Sequence, residues 1–227
     1  MADRLVTIEA KLQKLIKTDI EYKVFGSNEP WDGHLYELIP PLEKTSINTL
    51  EEKMSVKLPV EYAEYITHIA DGGAGPYYGL YNSWPASTKA VNYIQRYTNK
   101  DAEITEEFIE DEVLNNFTAY FKPFPISNQE INEFFEKIKS GKDPENEAFN
   151  IPDDFYGFLV LSEYGCGEYR ILIITGEAAG TVWFFHADGK LYPCFKINNM
   201  GNYETCTFYD WYEEWLDESM QLVIKSD

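Results

Sequence analysis

The chain has 227 residues, 44% hydrophobic and 16% aromatic, which is enough to bury one sizeable core and predicts a single domain over residues 1–227. Its 39 acidic and 19 basic residues leave a formal net charge of −20, which repels phosphate backbones and anionic lipid and argues against nucleic-acid or membrane partners. No run approaches the roughly 20 apolar residues of a membrane span, and charges recur through residues 1–17 where a secretion signal needs an apolar stretch, so a cytoplasmic location is expected.

In residues 5–17, Leu5, Ile8, Leu12, Leu15 and Ile16 recur at spacings of three and four, predicting an amphipathic helix on the edge of the core. A loop through Trp31, Asp32 and Gly33 runs to Pro40 and Pro41, after which Ser46 is placed to cap a short helix ending near Met54. A further helix starts at Pro59, turns Tyr62, Tyr65, Ile66 and Ile69 to one side, and is expected to stop at Asp71-Gly72-Gly73.

Residues 84–150 are charge-rich and helical in pattern, with one candidate helix over 103–120 and another over 128–139. In the second, Ser127 and Glu130 have the spacing of a capping box, Ile131, Phe134, Phe135 and Ile138 share a face, and Gly141 ends it. From Phe155 onward, short apolar runs at 157–161, 169–175, 181–186 and 191–195 are separated by glycine turns, the pattern of an antiparallel meander. Asp188-Gly189 predicts a two-residue hairpin between the last two. Ile171 to Ile174 are apolar at successive positions, predicting a strand covered on both faces. Phe208, Trp211, Tyr212, Trp215 and Leu216 then form the aromatic face of a closing helix expected to dock on the sheet. The whole reads as α+β, a mainly antiparallel sheet packed by helices.

Several groupings invite chemistry and have simpler explanations. Asp71-Gly72-Gly73-Ala74-Gly75-Pro76 lacks the Lys-Ser/Thr pair of a phosphate loop and reads better as a turn. Cys166, Cys194 and Cys206, even with His186, match no zinc-site spacing and are expected to be reduced thiols without metal. The three histidines, His34, His68 and His186, accompany no nucleophile-elbow sequence. Carboxylates such as Glu163, Glu168 and Glu177 are too common in an acidic chain to mark a glycosidase pair. No catalytic residue and no cofactor is predicted.

Four motifs in order carry a family resemblance. Leu58-Pro59-Val60-Glu61-Tyr62 leads to Asp71-Gly72-Gly73, and is followed by Gly165-Cys166-Gly167-Glu168, by Gly180-Thr181-Val182-Trp183, and by Phe208-Tyr209-Asp210-Trp211 with Trp215-Leu216. Over residues 47–216 the chain resembles the SMI1/KNR4 family of the SUKH superfamily, with residues 85–150 as a helical insert longer than a minimal member needs. The resemblance implies a bent, mainly antiparallel sheet packed by helices. It also implies a binding function: bacterial members resemble immunity proteins that neutralise a toxin, whereas eukaryotic members are associated with cell-wall and signalling regulation.

The expected activity is therefore non-catalytic protein binding, the neutralisation of a basic toxin domain, with a nuclease of a polymorphic or contact-dependent system as one case. The acidic run Asp101, Glu103, Glu106, Glu107, Glu110 and Asp111 is the candidate contact face, although such a run is ordinarily a solvated surface. Tyr77, Tyr78 and Trp84 are the candidate aromatic anchors. A regulatory interaction module is the alternative, and a small-molecule enzyme a further one, which would need a concave pocket holding perturbed acids.

Overall fold

The structure, a computed structural model, describes residues 2–28, 33–83, 118–151 and 155–225. Trp31, Asp32, Trp84, the acidic run and nearly all of the helix predicted over 103–120 lie outside the described residues.

Helix α1 spans Ala2–Thr18 and buries Ile8, Leu12 and Leu15 completely, so it belongs to the core rather than its edge. Helix α2, Lys44–Met54, starts earlier than Ser46: Glu43 is its N-cap, with no side-chain cap, because the chain can turn helical once Pro40 and Pro41 are passed. Helix α3, Val60–His68, has Pro59 as its N-cap and buries Tyr62, Tyr65 and Ile66. The helix ends at Ile69 in right-handed conformation, before the glycines expected to stop it. Gly73 instead bridges Leu38 and Leu80 in short antiparallel pairings, and buried Asp71 accepts the Ser83 amide at 3.0 Å.

A short helix α4, Thr118–Phe121, precedes α5, Asn128–Lys139. The α5 capping box forms as its spacing requires: the Ser127 amide donates to Glu130 at 2.8 Å and the Glu130 amide to Ser127 Oγ at 3.4 Å. The Ser127 amide and the Ser127 hydroxyl, which donates to the same carboxylate at 2.7 Å, hold the Glu130 carboxyl below its usual value. The buried face of α5 sets Phe134 against Phe149 and Phe195, and Phe135 against Tyr203.

The sheet contains β1 (Phe149–Asn150), β2 (Phe158–Gly165), β3 (Glu168–Ile173), β4 (Val182–His186) and β5 (Lys190–Pro193), antiparallel in the order β1-β5-β4-β3-β2. Ile171, Leu172 and Ile173 are all fully buried, so β3 is covered on both faces, as its unbroken apolar run predicts. The two-residue hairpin falls between β2 and β3, where Gly165 pairs with Glu168 and both Cys166 (φ 54°) and Gly167 (φ 83°) take the positive φ of a type I′ turn. His186 pairs with Lys190 instead, so Ala187, Asp188 and Gly189 make a three-residue loop where a two-residue one was expected. Strands β6 (Phe195–Ile197) and β7 (Tyr203–Thr205) form a separate ribbon.

Helix α6, Phe208–Lys225, closes the fold. Its backbone runs closest to α1 and α3, and its aromatics Phe208 and Tyr212 meet rings of α3, while Trp211 and Trp215 share a cleft with Tyr164 of β2. The α3 contact is polar as well as apolar: Glu61 of α3 accepts the Tyr209 amide at 2.9 Å, placing a carboxylate at the positive end of α6. In the apolar contact, Phe208 meets Tyr62 and Tyr65 edge-on, and Tyr65 donates to Tyr212, which donates to the Ala74 carbonyl. Pro59, the Cys166-Gly167 turn and Phe208, all from the four family-like motifs, thus hold a helix start, a hairpin and a helix contact in place. Among the described residues, no helix is long and apolar enough to cross a membrane.

Candidate functional site

Helix α6 has two flanks that differ in charge pairing. On the flank facing α1, Arg4 donates to Asp210 at 2.7 Å and to Glu213 at 3.0 Å, and Lys11 reaches Glu213 at 2.8 Å and Asp217 at 2.7 Å. Lys196 of β6 adds a bond to Asp210 at 2.6 Å, and the Thr207 amide another at 3.1 Å. Burial alone would raise the Asp210 carboxyl, but the bonds from Lys196, the Thr207 amide and Arg4 outweigh it and hold it low. Glu213 is likewise held low against burial, by Lys11 and Arg4.

On the other flank, Trp211, Glu214, Trp215 and Glu218 line a cleft of about 400 Å³. Its opposite wall comes from distant segments: Val24 and Phe25, then Pro76 and Tyr77, then Tyr164 of β2. Phe25 packs on Tyr164 at 5.1 Å and on Tyr78 at 5.5 Å between ring centroids, and Tyr77 meets Tyr164 edge-on at 4.7 Å. Gly26 makes this wall possible. At φ 78°, its backbone lies so close to the Tyr77 carbonyl that a Cβ there would stand 1.7 Å from the oxygen.

Tyr77 is fixed from behind. The Arg170 guanidinium sits between the Tyr77 and Phe184 rings, 4.9 and 4.7 Å from their centroids, and donates to the Tyr77 hydroxyl at 2.7 Å. Burial raises the Tyr77 phenol, against the lowering effect of Arg170. Tyr81 donates to Glu163 at 2.8 Å beside it.

Glu214 and Glu218 enter no ion pair among the described residues. Burial, then the neighbouring carboxylates Glu218 and Asp210, push the Glu214 carboxyl above its usual value. The lining supplies no imidazole, thiol or amine among the described residues; its polar groups are carboxylates, hydroxyls and the Trp indoles. The Trp215 Nε1 is buried without a hydrogen-bond partner among the described residues, and so is the Nε2 of His34, whose ring lies 6.1 Å from that of Trp215. His34 Nδ1 accepts the Tyr36 amide at 3.0 Å, which leaves the proton of the neutral ring on Nε2. Burial, partly offset by Asp19, lowers the His34 pKa to about 4. Asp19 is itself buried and accepts the Lys23 and Val24 amides and the Tyr36 hydroxyl.

Of the residues singled out in the sequence, Tyr77 lines the cleft and Tyr78 supports it through Phe25. Trp84 and the carboxylates Asp101 to Asp111 lie outside the described residues. The sequence reading missed Phe25, Tyr164, Glu214 and Glu218. One signal was available for the last two: residues 210–221 hold five carboxylates and no basic residue. Cys166, Cys194 and Cys206 are free thiols, and no three metal-binding side chains converge among the described residues. His186 turns to Asp188 of its own hairpin. No protein-family model, no curated protein and no solved structure matches the chain.

Proposed function

We propose that the chain is a non-catalytic protein-binding domain, an immunity-type member of the SUKH superfamily that occludes a basic toxin domain in the cytoplasm. The observation that supports it most is the excess of 20 carboxylates over basic side chains, together with the way the basic residues near α6 are already engaged. Arg4, Lys11 and Lys196 neutralise one flank of the helix and leave Glu214 and Glu218 of the other available to a partner. A basic surface, such as that of a nuclease, has the complementary charge, and a net charge of −20 would accelerate its encounter. The aromatic cleft beside these carboxylates supplies the apolar anchor that charge alone does not give.

The test is binding of the purified chain to a panel of basic toxin domains, nucleases included, at two salt concentrations. The expected result is one tight partner whose activity is blocked and whose affinity falls about tenfold or more between low and high salt. A panel with no salt-sensitive binder overturns the reading.

A further inference from the structure

Glu214 and Glu218 stand four residues apart on one helix face, an arrangement of like charges that is unfavourable to a helix. Every acidic neighbour on the opposite flank, Asp210, Glu213 and Asp217, has a cation against it. Glu214 and Glu218, in no ion pair among the described residues, adjoin rings of Trp211, Trp215, Tyr77, Tyr164 and Phe25, with Phe25 52% and Tyr164 40% exposed. A neutral apolar occupant would strip water from these carboxylates without replacing it, which is unfavourable. An anionic lipid surface would be repelled.

We propose that this cleft receives an arginine side chain from a basic polypeptide partner, its guanidinium stacked on the aromatic lining and bonded to Glu214 and Glu218. Arginine fits better than lysine because its planar, weakly hydrated head both stacks on rings and presents a fork of donors to carboxylates. The molecule already sets guanidinium on aromatic rings, where Arg170 lies by Tyr77 and Phe184 and where Arg4, bonded to Asp210 and Glu213, lies over Tyr209. The methylene stem of the incoming residue would cover the exposed edges of Phe25 and Tyr164. The inference deepens the proposed binding function and rests on it for the identity of the partner as a basic protein.

The experiment follows the indole N–H signals of the intact chain by NMR, assigned through single Trp→Phe variants, during titration with a short peptide carrying one arginine between apolar residues. A saturable shift of the Trp215 signal is expected, with the citrulline version of the peptide binding about tenfold or more weakly. The double variant Glu214→Gln, Glu218→Gln is expected to lose a similar factor, while the charge-matched control Glu9→Gln, Glu52→Gln keeps full affinity. Equal binding of the arginine and citrulline peptides, or no shift at Trp215, overturns the proposal. The two readings separate cleanly. If the arginine peptide occupies the cleft but no basic toxin domain binds, the toxin reading alone falls; if a toxin binds and the Glu214, Glu218 double variant holds it equally well, the cleft inference alone falls.

Discussion

The two flanks of α6 are built from the same residue types and do opposite things. Asp210, Glu213 and Asp217 face α1 and β6 and are matched by Arg4, Lys11 and Lys196. Glu214 and Glu218, each one residue away from a member of that set, line an aromatic cleft with no cation among its described lining residues. They also border a second cleft that Arg4 and Lys196 line, but neither pairs with those cations. Position on the helix, rather than composition, therefore decides whether a carboxylate braces the fold or remains available to a partner. A single figure for net charge hides this division.

The largest effect that would test the contrast is protonation of His34, which lies behind Trp215 on the open flank. Its folded pKa of about 4 is below the ordinary value of about 6.5, so the unfolded chain takes up the proton first as pH falls. The stabilisation is fully present above about pH 6.5 and is lost progressively toward pH 4, reaching up to about 3 kcal/mol. Urea unfolding across that range should show the loss, and His34→Phe should remove most of the slope. A slope unchanged by the substitution would show that other groups carry it.

Next in size is Asp210→Asn on the braced flank. The Asp210 side chain is 9% exposed and accepts bonds from Arg4, Lys196 and the Thr207 amide, whereas Arg4 and Lys196 are 36% and 43% exposed and screened by water. With that screening, the substitution is expected to cost about 2 kcal/mol in the urea-unfolding free energy. Because the Asp210 and Glu213 carboxyls are held below their usual range, their contribution is present above about pH 4 and is lost as pH falls through the folded values. In Asp210→Asn this acid-side loss should shrink. A substitution without effect on stability would mean that the ion-pair network is ornamental to folding.

What the sequence made legible was local. Ser127 and Glu130 announce the start of α5 because both partners of the capping box lie within four residues. The unbroken apolar run of β3 announces two-sided burial because no polar residue interrupts it. Hairpin length was less legible: Asp188-Gly189 tolerates positive φ but does not dictate how many residues separate the paired ends, and the type I′ turn formed at Cys166-Gly167. The helix partners of α6 were not legible, because an aromatic face at helical spacing looks the same whether it meets a sheet, as Trp211 and Trp215 approach Tyr164 of β2, or other helices, as Phe208 meets α3. The cleft was least legible of all. Phe25, Tyr77, Tyr164 and Trp215 come from four separate stretches of chain, joined through a close approach of Gly26 to Tyr77 that no local pattern encodes.

The smallest expected effect is the sharpest test of the division between flanks. In Glu214→Gln, one member of a repelling pair becomes neutral and no ion pair is lost, so the variant should be slightly more stable, by about 0.3 kcal/mol at low salt. The gain should vanish near 1 M salt, where the screening length shrinks to about 3 Å. Glu213→Gln, the next residue along the chain, should move the other way, because it strips partners from Arg4 and Lys11. Opposite signs at adjacent positions cannot arise from a general effect of net charge, since both substitutions remove one negative charge from the same helix. If Glu214→Gln instead destabilises by about 1 kcal/mol or more, that carboxylate has a structural partner and the open flank braces the fold just as the paired one does.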